Sequence, residues 1–407
     1  MRLEQVGRGV LVLLVGCGSG EVTDLGVRDG GPARDAGEAR DAGAVRDGGP
    51  RDGGPTIEPC VPGFVEIQPV GLPAQLTPTP LPAKVTAEVG GFNLGVAFFY
   101  EQNGEPASGV AGLRFGTNGG LPVPLFAMLK PTRVIHGIFD HGAGRVAVFS
   151  GGVATNLDRD GVAVAFFGPA STRPETVRHV QTSDDFRGVA PTSTEVVVLT
   201  QTSQTVSRRL FSVDAYDTER FSIDSNRPAL AVTVDTTTYL VYDAGDLTSY
   251  RLGVVPLLEG GPGKAITVDL PETETVAGVA AFGSDVVVLF STGERLRLAL
   301  VDPFTGDLAW GADLDRSLRD GTAELAAIDG TVGVAYFADG AQAPEVHLFD
   351  AELQPIADAP FVPDVRVLEP RLGMSFAGGR DTFALTTSEG ESGTVRHTIV
   401  FFDACSF

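Results

Sequence analysis

From residue 57 onward, short runs of β-branched and aromatic residues alternate with Gly, Asp and Thr turns. No stretch there holds a helical period for three turns. Seven runs look alike: "NLGVAFFY" from Asn93, "RVAVFSG" from Arg145, "EVVVLTQ" from Glu195, "TTYLVYD" from Thr237, "DVVVLFS" from Asp285, "TVGVAYFAD" from Thr331 and "DTFALTT" from Asp381. Their starts lie 42 to 52 residues apart. Each follows a Gly/Ala-rich apolar run, such as "VAGVAAFG" or "RLGMSFAGG", and each precedes a third run, such as "RLFSVDA", "RLALVDP", "VHLFDA" or "TIVFFDA". A fourth, more polar strand usually comes next.

Four strands recurring about every 47 residues is the period of a β-propeller blade. The sequence therefore predicts an all-β chain, a seven-bladed β-propeller over residues 57–407. Small residues in the first strand of each unit suit the crowded centre of such a ring. Two β-sandwich domains would not predict the even period. In earlier units the third strand ends in Asp214, Asp302 and Asp350, and a fourth strand follows; in the last unit the third strand reaches Asp403 and only "ACSF" remains. The unassigned segment "CVPGFVEIQPV", residues 60–70, is expected to supply that fourth strand. The ring would then be closed by an N-terminal strand, with residues 63–69 pairing with 397–403.

The chain has 407 residues, enough for a large core, and a formal net charge of -22 with three lysines, Lys84, Lys130 and Lys264. So acidic a surface repels phosphate backbones and argues against nucleic acid as a partner.

The first residues read differently. Arg2 and Arg8 bracket a short charged region, and the apolar run Val10–Val15 that follows is too short to span a bilayer. The run ends in Leu14-Val15-Gly16-Cys17. This resembles the lipobox of bacterial lipoproteins, which implies a signal peptide over 1–16, lipidation of Cys17 and a membrane anchor. Gly18 stands where Asp would resemble an inner-membrane retention signal, so the outer membrane is favoured; the side is left open. An ordinary secretory signal with an incidental cysteine is the alternative. Residues 17–56 carry five Arg-Asp-(Gly/Ala)-Gly copies and almost no large apolar side chains, a composition expected to stay disordered. As a flexible coil the segment would span roughly 35 Å, a tether between lipid and propeller.

With Cys17 assigned to lipid, Cys60 and Cys405 remain. They flank the proposed closing strand and its partner, and in an oxidising compartment a disulfide between them is expected. In the chain-entropy picture it would stabilise by about 5–6 kcal/mol. Two free thiols are the other reading.

Catalytic signatures are sparse. The five histidines are scattered, and His136 and His141 in "HGIFDH" fall on opposite faces of a regular strand. "NLDRDG" resembles the Asp-x-Asp-x-Asp-Gly calcium loop, with Asn156, Asp158 and Asp160 at the first three ligand positions. Phe167 replaces its late acidic ligand, so calcium stands beside a plain hairpin loop as an alternative. "LALVDPFTGDLAW" is similar to the repeat of quinoprotein-type propellers through Asp302, Thr305, Gly306 and Trp310, in one blade only. It supports the fold without implying a quinone, and its Thr-Gly reads as a turn. These observations favour a non-catalytic scaffold anchored at the outer membrane and binding a protein or glycan. The alternative is a propeller enzyme acting on polysaccharide or using a quinone cofactor. Varied loops between second and third strands place the expected ligand on the face that those loops share.

Overall fold

The computed structural model describes residues 64–67, 77–78 and, between 83 and 403, all but 103–104, 117–122, 129–133, 143, 151–160, 192–194, 226, 246–249, 259–260, 272–273, 293, 316–317, 358, 364–372 and 390–394. The described secondary structure is β throughout, in seven separate antiparallel sheets. They form the blades of a seven-bladed propeller. Blade 1 holds Lys84–Glu88, Gly91–Gln102, Glu105–Gly116 and Val123–Met128, with Thr77–Pro78 also pairing the second of these. Blade 2 holds Val134–His141, Gly144–Ser150, Gly161–Phe167 and Thr176–Gln181; blade 3 holds Asp185–Pro191, Val196–Thr202, Thr205–Phe211 and Tyr216–Ser222. Blade 4 runs Leu230–Val234, Thr237–Asp243 and Arg251–Leu258, its outer edge split between Gly261–Pro262 and Ile266–Asp269. Blade 5 holds Thr275–Phe282, Asp285–Ser291, Leu296–Val301 and Leu308–Leu314. Blade 6 has Leu318–Ile328, Thr331–Ala338 and Glu345–Phe349, and among the described residues the isolated bridges Val346–Phe361 and Phe349–Pro355 mark its fourth position. Blade 7 holds Met374–Gly378, Thr382–Glu389 and Arg396–Asp403. All seven look-alike runs fall on second strands.

Alternation along these strands builds the ring. Val146 and Val148 join the apolar cluster between blades 2 and 3, while Ala147 and Phe149, one residue out of phase, join the cluster between blades 1 and 2. Val197 and Leu199 likewise face blade 4 while Val196 and Val198 face blade 2. A strand apolar at every position is thus a strand buried on both faces, each face packing a different neighbour. Further clusters join blade 4 to 5, blades 5 to 7 in series, and blade 7 back to blade 1.

The fourth strand of blade 7 is Phe64–Ile67, antiparallel to the third, with Phe64 opposite Phe402 and Ile67 opposite Ile399. The closing strand expected from the sequence is therefore present. At the seam where blade 7 meets blade 1, buried hydroxyls add to the apolar cluster. The Ala83 amide donates to Ser388 Oγ at 3.3 Å, and the Val85 amide to Ser375 Oγ at 3.2 Å. Ser375 and Thr386 hydroxyls donate back to the Val85 and Ala83 carbonyls at 3.4 and 3.2 Å. Ser388 Oγ also hydrogen-bonds His397 Nδ1 at 2.8 Å.

Strand direction defines two faces. First-to-second and third-to-fourth connections share a turn face; second-to-third and inter-blade connections share a loop face. Tight hairpins on the turn face need a residue at positive φ. Gly90, Asp235, Gly283 and Gly330 supply it, with φ of 80°, 53°, 59° and 71°. Phe64 lies level with Phe402 and Phe383, beside the first-to-second turn of blade 7, and so stands on the turn face.

Candidate functional site

The first strands line the centre of the ring, and three of them carry the same irregularity. Register shifts between Ile135 and Gly137, Phe186 and Gly188, and Val276 and Gly278 leave His136, Arg187 and Ala277 as bulged residues. A bulge re-aims a side chain and bends its strand. The glycine after it admits the neighbouring blade. A Cβ at Gly188 would stand 2.5 Å from Ala231 Cβ, and one at Gly278 3.1 Å from Leu325 Cβ.

Near these bulges, charged and aromatic groups from four blades approach one another. Lys84 Nζ of blade 1 pairs with Glu324 Oε1 of blade 6 at 3.3 Å. Blade 7 lies between those blades, so the bridge passes in front of its inner strand. Both side chains are about a third exposed, 34% and 33%. His136 of blade 2 stacks on Phe186 of blade 3, centroids 3.5 Å apart and planes 7° from parallel. Burial, and after it the charge of Lys84, push the His136 imidazole down to about 3, so it is neutral at ordinary pH. Its Nε2 is buried with no hydrogen-bond partner. Arg187 donates to Gln201 Oε1 at 3.2 Å and to Asp185 at 2.9 Å.

A second polar group lies where blade 2 passes into blade 3. The buried Arg209 guanidinium donates to Asp184 and Thr182 at 2.9 Å, Tyr216 at 3.0 Å and Thr200 at 3.1 Å. Burial would raise Asp184, but hydrogen bonds from Thr202, Thr182 and Thr200 and the charge of Arg209 hold it below the usual carboxylate range. Its bonds join the inter-blade connection to the blade 3 strands, the role of a structural staple.

The sequence-predicted residues divide sharply. Cys17, Cys60, Cys405, Asn156, Asp158 and Asp160 all lie outside the described residues. The strands flanking the calcium-like loop, Gly144–Ser150 and Gly161–Phe167, are the second and third of blade 2. Among the described residues no cluster of three His, Cys, Asp or Glu side chains could hold a metal. The expectation that His136 and His141 face opposite ways meets the bulge, which adds one residue and reverses the alternation. Phe186, under His136, and Phe166, edge-on to His141 at 5.4 Å, belong to the same inter-blade cluster. The two imidazoles take separate partners at opposite ends of one strand. The quinoprotein-like stretch is a turn: Asp302 Oδ1 accepts from the Phe304 and Thr305 amides, and Gly306 donates to the Asp302 carbonyl at 2.9 Å with φ 80°. Asp350 caps the equivalent turn of blade 6 in the same way. Trp310 lies under the Arg297 guanidinium, 3.8 Å from its ring centre. The channel group itself was not foreseen. Its signal was the recurring x-Gly pair early in the inner strands: His136-Gly137, Arg187-Gly188 and Ala277-Gly278.

No protein-family model matches this sequence, and no curated protein matches it. Solved structures do. BamB from Moraxella catarrhalis is 10% identical, with 83% of this chain and 100% of that one covered and a TM-score of 0.46. The β-propeller domain of the Trilobed protease from Pyrococcus furiosus is 8% identical, covering 78% and 93%, with a TM-score of 0.48. The acylaminoacyl peptidase of Pyrococcus horikoshii is also 8% identical at 0.48, covering 79% of this chain and 51% of that one. At such identities the likeness is one of fold.

Proposed function

We propose that this protein is a lipid-anchored binding scaffold of the bacterial outer membrane that holds a protein or glycan ligand on the loop face of its propeller. The observation that carries the reading is the position of Phe64. The chain enters the propeller at Phe64, on the turn face. The inter-blade and second-to-third loops lie on the opposite face, and loops on a rigid scaffold are common recognition elements. Binding is favoured over catalysis because the charges near the channel are mutually engaged, Lys84 with Glu324 and Arg187 with Asp185. The Cys17→Ser variant tests the anchor: it should move from the membrane pellet to the soluble fraction. The same variant used as bait in membrane extract should retain a protein or glycan, and shortening the blade 2 and 7 second-to-third loops should release it; the blade 3 connection expected to be long is a two-residue turn between Thr202 and Thr205 and is left alone. Unchanged fractionation overturns the anchor, and retention by the shortened loops overturns the loop face.

A further inference from the structure

We propose that the centre of the ring is a binding site for a small zwitterion, of which a free α-amino acid is the simplest form, seated between Lys84 and Glu324. The inference goes beyond the scaffold reading and does not depend on the anchor. The Lys84–Glu324 pair joins inner strands that are not neighbours in the ring, and water reaches both partners. A pair so solvated contributes little to stability. A molecule carrying both charges can part it at small cost, its carboxylate on Lys84 and its ammonium on Glu324. Single-charge ligands fare worse. A protein of net charge -22 repels anions. A lone cation on Glu324 would leave Lys84 without its carboxylate. The zwitterion leaves the net charge unchanged and replaces the one ion pair by two.

The wall beside Lys84 suits the rest of such a molecule. His136, close enough to be influenced by the Lys84 charge, stacks on Phe186, and this ring pair is uncharged at ordinary pH. Arg187, the bulged cation on the inner strand of blade 3, is engaged by Asp185 and Gln201. His136 also serves as a reporter: its imidazole senses the charge of Lys84.

The experiment uses the Cys17→Ser chain and follows the His136 ring proton resonances, assigned by comparison with His136→Gln. Each proteinogenic L-amino acid is titrated alone, with acetate and methylammonium as the two half-ligands. At least one amino acid should give a saturable shift, and neither half-ligand should match it. Lys84→Met and Glu324→Gln should each weaken that binding by roughly tenfold or more, while melting within a few degrees of the parent. If Lys84→Met fails to fold, Glu324→Gln alone decides. No saturable shift with any amino acid overturns the proposal. So does an equal shift with acetate, which would make this an anion site, or undiminished binding in both variants.

Discussion

Replacing Ser388 by Ala tests whether hydroxyls hold the two ends of the ring together. The substitution removes the acceptor of the Ala83 amide and the partner of His397 Nδ1, both in a buried seam. Ser375→Ala removes the acceptor of the Val85 amide on the same seam. A buried polar group left without its partner costs about 1–3 kcal/mol. Each single variant should therefore lose about 1–3 kcal/mol, and the double variant about 2–6. The two hydroxyls are linked through Ala83, Val85 and Thr386, so the sum need not be additive. Against a typical stability of about 5–15 kcal/mol, such a loss is large. Urea unfolding followed by circular dichroism measures it. Fluorescence of Trp310, in blade 5, reports separately on a distant part of the ring. Coincident curves mean that the ring opens as one unit, and an earlier loss of dichroism means that other blades open before blade 5. Ser171→Ala, which removes a hydroxyl bonded within an exposed turn, is the control. Should both seam variants stay within about 0.5 kcal/mol of the control, the polar seam does not hold the ring closed.

Burial pushes His397 down to about 4 and His136 to about 3, so each favours its neutral form when folded. Their contribution is complete above pH ~6.5, where the unfolded imidazoles are also neutral, and is lost as pH falls toward those values, at about 1.4 kcal/mol per unit per histidine. His397→Gln should flatten part of that fall in a series of urea titrations; an unchanged slope contradicts it. Cys60 and Cys405 are expected to be bridged in the mature protein, which intact mass with and without reductant will show; alkylation of both thiols without reductant excludes the bridge. If Asn156, Asp158 and Asp160 hold calcium, the ion should raise the melting temperature of the parent but not of the triple Ala variant.

The parts of the fold legible in the sequence are those written as local periodicity. The second strands could be found because burial on both faces demands an apolar residue at nearly every position, as in Val286–Phe290. The closing strand could be found because a unit ending at Asp403 lacked one strand and residues 60–70 supplied one. The channel group was hidden because Lys84 and Glu324 lie 240 residues apart and meet only once the ring is closed. No local pattern marks that meeting. The bulges were hidden for a different reason: a single inserted residue reverses every facing assignment after it, as at His136, and alternation alone does not locate the insertion. The polar seam was legible as residues, "LTTSEG" against "VLFSTG" in blade 5, but nothing local said that those hydroxyls would meet the start of the domain.

The pairing of Phe64–Ile67 with Arg396–Asp403 also fixes an order of events during synthesis. The first strand of the domain to be made has its partner in the last strand of the domain to be made. Six blades can form while the chain is still growing, but the seventh must wait, and the early strand waits with it. During that interval blades 1 and 6 each leave bare the apolar face that will meet blade 7, and the early strand has unpaired edges. Unpaired strand edges are templates for other chains. A copy that closes with its neighbour's early strand instead of its own would make a domain-swapped dimer. Two chains tethered side by side would be more exposed to that error than two chains free in dilute solution.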